Sequence, residues 1–197
     1  LEEEVILCLD MSGSMGFVRG AGADAVCAAE ATAQFLEQFP EYCKTAFGAR
    51  TGRLHIVGFG QAAGYADKPG LWMPSSATSG GRTVQESMRW AKDAAGEADE
   101  ILKRCARIDA CKDLCTEWAA HMRSIVFPDN NTNVSPKGMD GMVAGTTNIG
   151  AAVTFSSQMA ATLCKKNKSY ARIIIATDGH ANTGLIRAEE WRQVAQD

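Results

Sequence analysis

Residues 5–14 of this chain read Val5-Ile6-Leu7-Cys8-Leu9-Asp10-Met11-Ser12-Gly13-Ser14, an apolar run that ends in a carboxylate and two hydroxyls. The apolar part does not alternate with polar residues, which is typical of a strand covered on both faces. A tight loop that contains glycine can turn the side chains of alternate residues toward one point. We therefore expect Asp10, Ser12 and Ser14 to form a cup of oxygen atoms where a buried strand reaches water.

Two further aliphatic runs, residues 54–59 and 172–177, predict two more buried strands. The later run is followed by Thr177-Asp178-Gly179, so a second carboxylate stands at the exit of a strand. Because ligands of open parallel sheets sit beyond the carboxyl ends of the strands, we expect Asp10 and Asp178 to share one site.

Helix-like segments separate the three predicted strands. The first covers residues 23–39 and is expected to stop at Pro40, and the second covers residues 149–163 and is preceded by the capping signal Thr146-Thr147-Asn148. The order strand, helix, strand, helix, strand predicts an α/β fold. Its sheet should be open and mainly parallel, with right-handed crossovers and helices on both faces.

Residues 83–127 have a different pattern, which predicts an inserted helical hairpin hinged near Gly96 and ended by Pro128. Glycines and prolines between residues 58 and 74 predict a loop or hairpin with little regular order after the second strand. The apolar residues at helical spacing in the insertion are Val84, Met88, Ala91 and Ala95, and then Ile101, Cys105, Ile108, Cys111, Cys115, Trp118, Met122 and Ile125.

Length and composition favour one elaborated domain, since 197 residues with 46% hydrophobic content can bury one substantial core. The formal charge of -3 leaves no electrostatic footprint for nucleic acid or an anionic membrane. No apolar run approaches the roughly 18 residues of a membrane span. Neither nucleic acid nor a membrane span is therefore expected.

The cysteine content favours reduced thiols, because seven cysteines cannot all pair within one chain. Cys105, Cys111 and Cys115 share the apolar stripe of the insertion, so core packing is favoured over a metal or redox site. Two glycosylation-type sequons, at Asn130 and Asn167, would matter only in a secreted protein. The compartment stays open, with the cytoplasm slightly favoured.

The chemistry of the predicted site follows from its donors, which are two carboxylates and three hydroxyls. Thr147 would join the site from the start of the third helix, where the free N–H groups also favour an anion. The carboxylates balance Mg²⁺ without filling its six positions, so water or an outside ligand must complete the shell. A carboxylate from a partner is the strongest completion, because few anionic ligands already compete for the cation.

The three motifs together resemble the von Willebrand factor A (vWA) domain and its metal ion-dependent adhesion site (MIDAS). They are Asp-x-Ser-x-Ser after the first strand, Gly-Thr-Thr-Asn-Ile before a helix and Thr-Asp-Gly after a later strand. The resemblance covers residues 4 to about 196 and implies a Rossmann-like sheet and an acidic protein partner. It implies Mg²⁺, with Mn²⁺ or Ca²⁺ as substitutes, and Thr146 is the weaker of the two threonine candidates. The implied metal ligands are Asp10, Ser12, Ser14, Thr147 and Asp178.

The chain departs from the family pattern at two places. The family's sheet continues after Thr-Asp-Gly, whereas this chain ends at Asp197 after one predicted helix from Arg187. The edge of the 172–177 strand would then be unpaired, so we expect residues 1–197 to be one domain that is incomplete at its carboxyl-terminal end or completed by a partner. The second departure is the 83–127 insertion, which lengthens the stretch between the second strand and Thr147; so close to the metal face, we expect it either to shape partner choice or to cover the site.

Each motif also has an ordinary structural interpretation. Asp-x-Ser-x-Ser by itself is more often a turn with a capping side chain, Thr146-Thr147-Asn148 is a common helix cap, and Asp178-Gly179 is a common turn. His180 fits an exposed loop better than the rim of the site. Met11 and Met15 fit rim contacts and simple packing equally well.

Three classes of function are compatible with these residues and motifs. The leading one is a non-enzymatic, metal-dependent module that binds a protein. A Mg²⁺-dependent hydrolase or phosphotransferase also places Asp after the first strand, but it needs an acid-base carboxylate two positions later, where this chain has Ser12. The third is a structural subunit of a larger assembly in which the site is unused.

Overall fold

The computed structural model describes residues 2–19, 26–46, 51–60, 63–64, 101–125 and 147–179. Short 3-10 helices occupy Gly13–Gly16 and Ile108–Ala110. The strands are β1 (Glu3–Asp10), β2 (Val18–Arg19), β3 (Val26–Cys27), β4 (Gly52–Phe59), β5 (Ala63–Gly64), β6 (Ala106–Arg107) and β7 (Tyr170–Ala176). The α-helices are α1 (Ala28–Ala46), α2 (Lys112–Ser124) and α3 (Ile149–Asn167).

Strand β1 lies at the centre of the sheet, between β4 and β7, and both neighbours run parallel to it. The main order is β5-β4-β1-β7, and the short strands β5 and β6 both pair with β4 antiparallel, so the sheet is mixed. The register places Leu9 opposite Gly58 on one side and Ala176 on the other. The predicted α/β class and its three long strands are confirmed, and all three strands end at the same edge of the sheet. The burial predicted for the third strand is wrong, because no residue of β7 is fully buried and Ile173 is exposed.

The sheet is covered by helices on both faces, because consecutive residues of β1 point to opposite sides. Val5, Leu7 and Leu9 pack in one apolar cluster with α1 and α2, whereas Ile6 and Cys8 pack in a second cluster with α3. Burying one side chain of this size contributes about 1.5–3 kcal/mol, so the two clusters hold β1 firmly from both sides. This burial explains why the apolar run of β1 does not alternate.

Helix α1 continues through Pro40 to Ala46, so the prediction that it ends at Pro40 is wrong. Proline inside a helix costs about 3 kcal/mol, because it lacks an N–H group and its ring crowds the preceding turn. Leu36, Phe39 and Cys43 keep the helical spacing across the proline, and all three are buried in the cluster shared with α2. The packing of this apolar stripe offsets the cost of Pro40.

The described part of the insertion is only partly helical. Residues 106 and 107 form β6, which pairs with the start of β4, and α2 begins at Lys112 rather than continuing from Ile101. Pairing with a free edge of β4 thus overrides the local helical spacing. Residues 83–100, with the predicted hinge at Gly96, lie outside the described residues, as do 126–146.

The expected hairpin after the second strand is present where residues are described, because Phe59 and Ala63 pair across a short antiparallel contact. Residues 65–74 lie outside the described ranges. Within those ranges, no helix is both long enough and apolar enough to cross a membrane.

Candidate metal centre

The carboxyl end of β1 turns back on itself, which brings the first three predicted ligands together. The backbone N–H of Ser12 donates to Oδ1 of Asp10 over 2.8 Å, and the Ser12 and Ser14 hydroxyls share a hydrogen bond of 3.0 Å. Met11 and Met15 point into the apolar core and are buried there. Packing of the two methionines therefore holds the loop in place. The side chains of Ser12 and Ser14, which lie between the methionines, face the polar cup.

The end of β7 reaches the same cup from the neighbouring strand. The hydroxyl of Ser14 donates to Oδ1 of Asp178 over 3.0 Å, and the hydroxyl of Thr177 donates to Oδ2 of Asp10 over 2.5 Å. These contacts follow from the parallel register, since β1 and β7 end side by side. Four of the five predicted ligands thus belong to one network of hydrogen bonds.

The fifth predicted ligand, Thr147, approaches from the residues that precede α3. It is 2% exposed. A Cβ atom built on Gly179 would lie 3.7 Å from Oγ1 of Thr147 and 4.0 Å from Oγ of Ser14, so both hydroxyls face the same glycine. The neighbouring Asn148 ties this segment to the sheet, because its N–H donates to the carbonyl of Gly60. Thr146 and His180 lie outside the described residues.

The electrostatics of the cup are dominated by the burial of Asp10, whose side chain is 0% exposed. Burial raises the pKa of the Asp10 carboxyl, hydrogen bonds from Thr177 and Ser12 lower it, and the nearby Asp178 raises it, with a net upward shift. Among the described residues, none of the groups that shift this pKa is a cation. The protein thus holds a carboxylate out of water and supplies it with neutral donors only.

The donor set fits a hard dication, which prefers oxygen ligands. The two carboxylates supply two negative charges, which balance the charge of a dication. The hydroxyls of Ser12, Ser14 and Thr147 add neutral oxygens at the same edge of the sheet. The described residues contain no group of three or more His, Cys, Asp or Glu side chains able to hold a metal ion. The candidate centre differs from such a group because most of its donors are hydroxyls.

Thr177 is the polar residue of this network that the sequence analysis missed as a member of the site. A signal for it was present, because Thr177 directly follows an apolar run just as Asp10 does. Its contact with Asp10 depends on the pairing of two strands that are 167 residues apart in the chain. Only the sheet register makes that contact visible.

The cysteines of the insertion separate into two environments. Cys111 and Cys115 are buried in the cluster formed with α1, which confirms core packing for these two. Cys105 is half-buried, and its thiol donates to the carbonyl of Leu102. All seven cysteines are free thiols. Of the histidines, His55 is buried in β4 and His121 lies on α2 beside the ring of Trp118.

None of the protein-family models matches this chain, and comparisons with curated proteins and with solved structures give no match either. The resemblance to the vWA domain therefore rests on the three sequence motifs.

Proposed function

We propose that this chain is a divalent-metal-dependent protein-binding module with a Rossmann-like vWA fold and a MIDAS-type site. The metal is Mg²⁺, with Mn²⁺ or Ca²⁺ as substitutes. Its ligands are Asp10, Ser12, Ser14, Thr147 and Asp178. An acidic residue of a partner protein completes the coordination shell, and the module performs no chemistry of its own.

The observation that carries the proposal is the buried Asp10 carboxylate with neutral donors on both of its oxygens. A buried charge is costly unless an opposite charge compensates it. Asp178 brings a second carboxylate to the same loop, where its Oδ1 accepts the hydroxyl of Ser14. A bound dication would compensate the buried charge of Asp10 and could take Asp178 as a second anionic ligand.

The preference for an acidic partner follows from the same charge balance. The hydroxyls of Ser12, Ser14 and Thr147 donate electron density but no net charge, so the cation keeps much of its attraction for a further anion. The start of α3 adds to this attraction, because Thr147 lies two residues before the helix begins at Ile149 and the free N–H groups of a helix start favour negative charge. A carboxylate from outside is thus favoured twice at this edge.

A binding role is also favoured over phosphoryl chemistry by the position of the lysines. Lys165 and Lys166 lie in the last turn of α3, whereas Thr147 lies just before its first turn. A helix of 19 residues is roughly 28 Å long at about 1.5 Å per residue, so these lysines lie far from the cup. A Mg²⁺-loaded protein that hydrolyses p-nitrophenyl phosphate would contradict the non-enzymatic role.

The metal claim is tested by titrating the metal-free protein with MgCl₂ in a calorimeter. We expect one site in the wild type and none in Asp10→Ala or Asp178→Ala. Asp109→Ala serves as a matched control, because Asp109 is exposed and paired only locally with Arg107. Equal heats of MgCl₂ binding in the wild type and Asp10→Ala would contradict the proposed metal site.

The partner claim needs a second measurement on the Mg²⁺-loaded protein. We suggest an array of short peptides, each synthesised twice, with Glu or with Gln at the central position. Binding that requires both Mg²⁺ and Glu supports capture of an acidic residue. Binding that persists in EDTA, or that is equal for Glu and Gln peptides, would contradict it.

A further inference from the structure

Thr177 is the first residue after β7, and the parallel register places it next to Asp10. Leu9 lies opposite Ala176, so the next residue on each strand is Asp10 and Thr177, respectively. The Thr177 hydroxyl donates to Oδ2 of Asp10 over 2.5 Å and accepts the N–H of Gly179 over 3.2 Å. One oxygen atom thus connects the end of β1 to the turn that carries Asp178.

These contacts hold the Asp10 carboxylate at both of its oxygens. Oδ1 accepts the N–H of Ser12 over 2.8 Å, and Oδ2 accepts the hydroxyl of Thr177. Rotation of the carboxylate would break one bond or the other, and an unmade hydrogen bond is expensive for Asp10 because its side chain is buried, although Thr177 itself is exposed. Both donors are neutral, so they orient the carboxylate without cancelling the charge that attracts a cation.

From this geometry we infer that Thr177 is a positioning residue that sets the preference of the site for Mg²⁺ over Ca²⁺. This inference rests on the proposed metal-binding function. Mg²⁺ demands near-ideal octahedral geometry, with oxygen ligands at about 2.0–2.1 Å, whereas Ca²⁺ accepts six to eight ligands at about 2.3–2.6 Å in flexible arrangements. A carboxylate that two hydrogen bonds hold in one orientation suits the strict geometry of Mg²⁺. Ca²⁺ can also bind a carboxylate that is free to rotate.

The test compares the affinities for two metals in variants of one hydroxyl. Metal-free protein is titrated with MgCl₂ and, separately, with CaCl₂ in a calorimeter. In Thr177→Val we expect the Kd for Mg²⁺ to rise about tenfold or more, as is usual when a group that orients a metal ligand is lost. The Kd for Ca²⁺ should rise by no more than about threefold, because its shell tolerates a rotated carboxylate.

Two further variants control the experiment. Thr177→Ser keeps the hydroxyl and should retain both affinities within about twofold. Thr116→Val removes an exposed threonine hydroxyl that bonds only to a carbonyl of its own helix, and it should change neither affinity. Circular dichroism in EDTA establishes that each variant is folded. If Thr177→Val does not fold, Thr177→Ala removes the same hydroxyl with less steric demand and takes its place.

The possible outcomes separate this inference from the function on which it rests. Equal weakening for Mg²⁺ and Ca²⁺, or no weakening, would overturn the role of Thr177 in selectivity and leave the metal site standing. A failure of Thr177→Ser to restore the preference would overturn the role of the hydroxyl. A wild-type protein that binds neither ion would overturn both the inference and the proposed function.

Discussion

The two ends of β1 each bury a carboxylate, but they compensate its charge in opposite ways. At the amino end, Glu4 is 0% exposed and receives hydrogen bonds from Arg53 over 2.6 Å and from His55 over 2.7 Å. Asn167 and Ser169 donate to the same carboxylate. At the carboxyl end, Asp10 is equally buried but receives only a backbone N–H and a hydroxyl.

The pKa values of the two carboxyls shift in opposite directions for this reason. Burial by itself raises the pKa of Glu4, but the hydrogen bonds from His55, Arg53 and Asn167 outweigh it and lower the pKa to about 2. For Asp10, burial prevails and the pKa is raised. The comparison shows that Glu4 is compensated by a cation of the protein, whereas the hydrogen-bond donors of Asp10 are both neutral. This difference is the basis of the proposed metal site.

The largest expected effect is on the amino end. Glu4→Gln removes the buried charge and leaves Arg53 without its buried partner, so we expect the free energy of unfolding to fall by about 3 kcal/mol at pH 7. Glu41→Gln is the matched control, because its partnership with Lys44 is exposed and should contribute less than about 1 kcal/mol. Urea unfolding in EDTA measures both. A loss in Glu4→Gln no larger than in the control would mean that the cluster is not a stabilising pair.

A smaller effect is expected from acid. The folded pKa of Glu4 lies below its unfolded value of 4.5, so its contribution is present above pH 4.5 and is lost as the pH falls toward 2. Between pH 7 and pH 3 the wild type should lose about 2 kcal/mol more stability than Glu4→Gln. The difference between the two unfolding curves isolates this group from the other carboxyls. A constant difference across this range would refute the assignment.

The smallest effect has the opposite sign and belongs to the carboxyl end. Asp10→Asn removes a buried charge that no cation among the described residues compensates, so we expect the variant in EDTA at pH 7 to be more stable than the wild type by about 1.5 kcal/mol. Adding MgCl₂ should stabilise the wild type and leave the variant unchanged, because only the wild type binds the ion. Thermal unfolding with and without Mg²⁺ measures this. Destabilisation by Asp10→Asn in EDTA would show that the two ends do not differ as described.

The candidate site was largely predictable because its signals are local. Asp10, Ser12 and Ser14 follow one apolar run and Asp178 follows another, so a parallel sheet brings them to one edge, and the structure joins all four by hydrogen bonds. The role of Thr177 was not predictable, because it depends on the register between β1 and β7. The resemblance to the vWA family stays a prediction.

The amino end was not predictable at all from the pattern of residues. Glu3 and Glu4 belong to a run of three glutamates at the start of the sequence, which by itself is typical of an exposed segment, yet both are buried residues of β1. Asn167 belongs to a glycosylation-type sequon, but its amide nitrogen donates to Glu4 over 3.1 Å. A glycan on that nitrogen would replace one of its two hydrogens and would have to fit beside the buried Glu4 carboxylate, so the structure favours the structural role over modification.

The sequence by itself determined the elements that depend on neighbouring residues, namely the three long strands, the α/β class and the oxygen-rich ends of β1 and β7. The periodicity of apolar residues is a local property, so it predicts the elements, but burial depends on packing and differs between β1 and β7. The tertiary structure decided which charges meet. Arg53 and Glu4 are 49 residues apart, and Thr177 and Asp10 are 167 apart. Compensation of a buried charge depends on distance in space, which only the folded sheet provides.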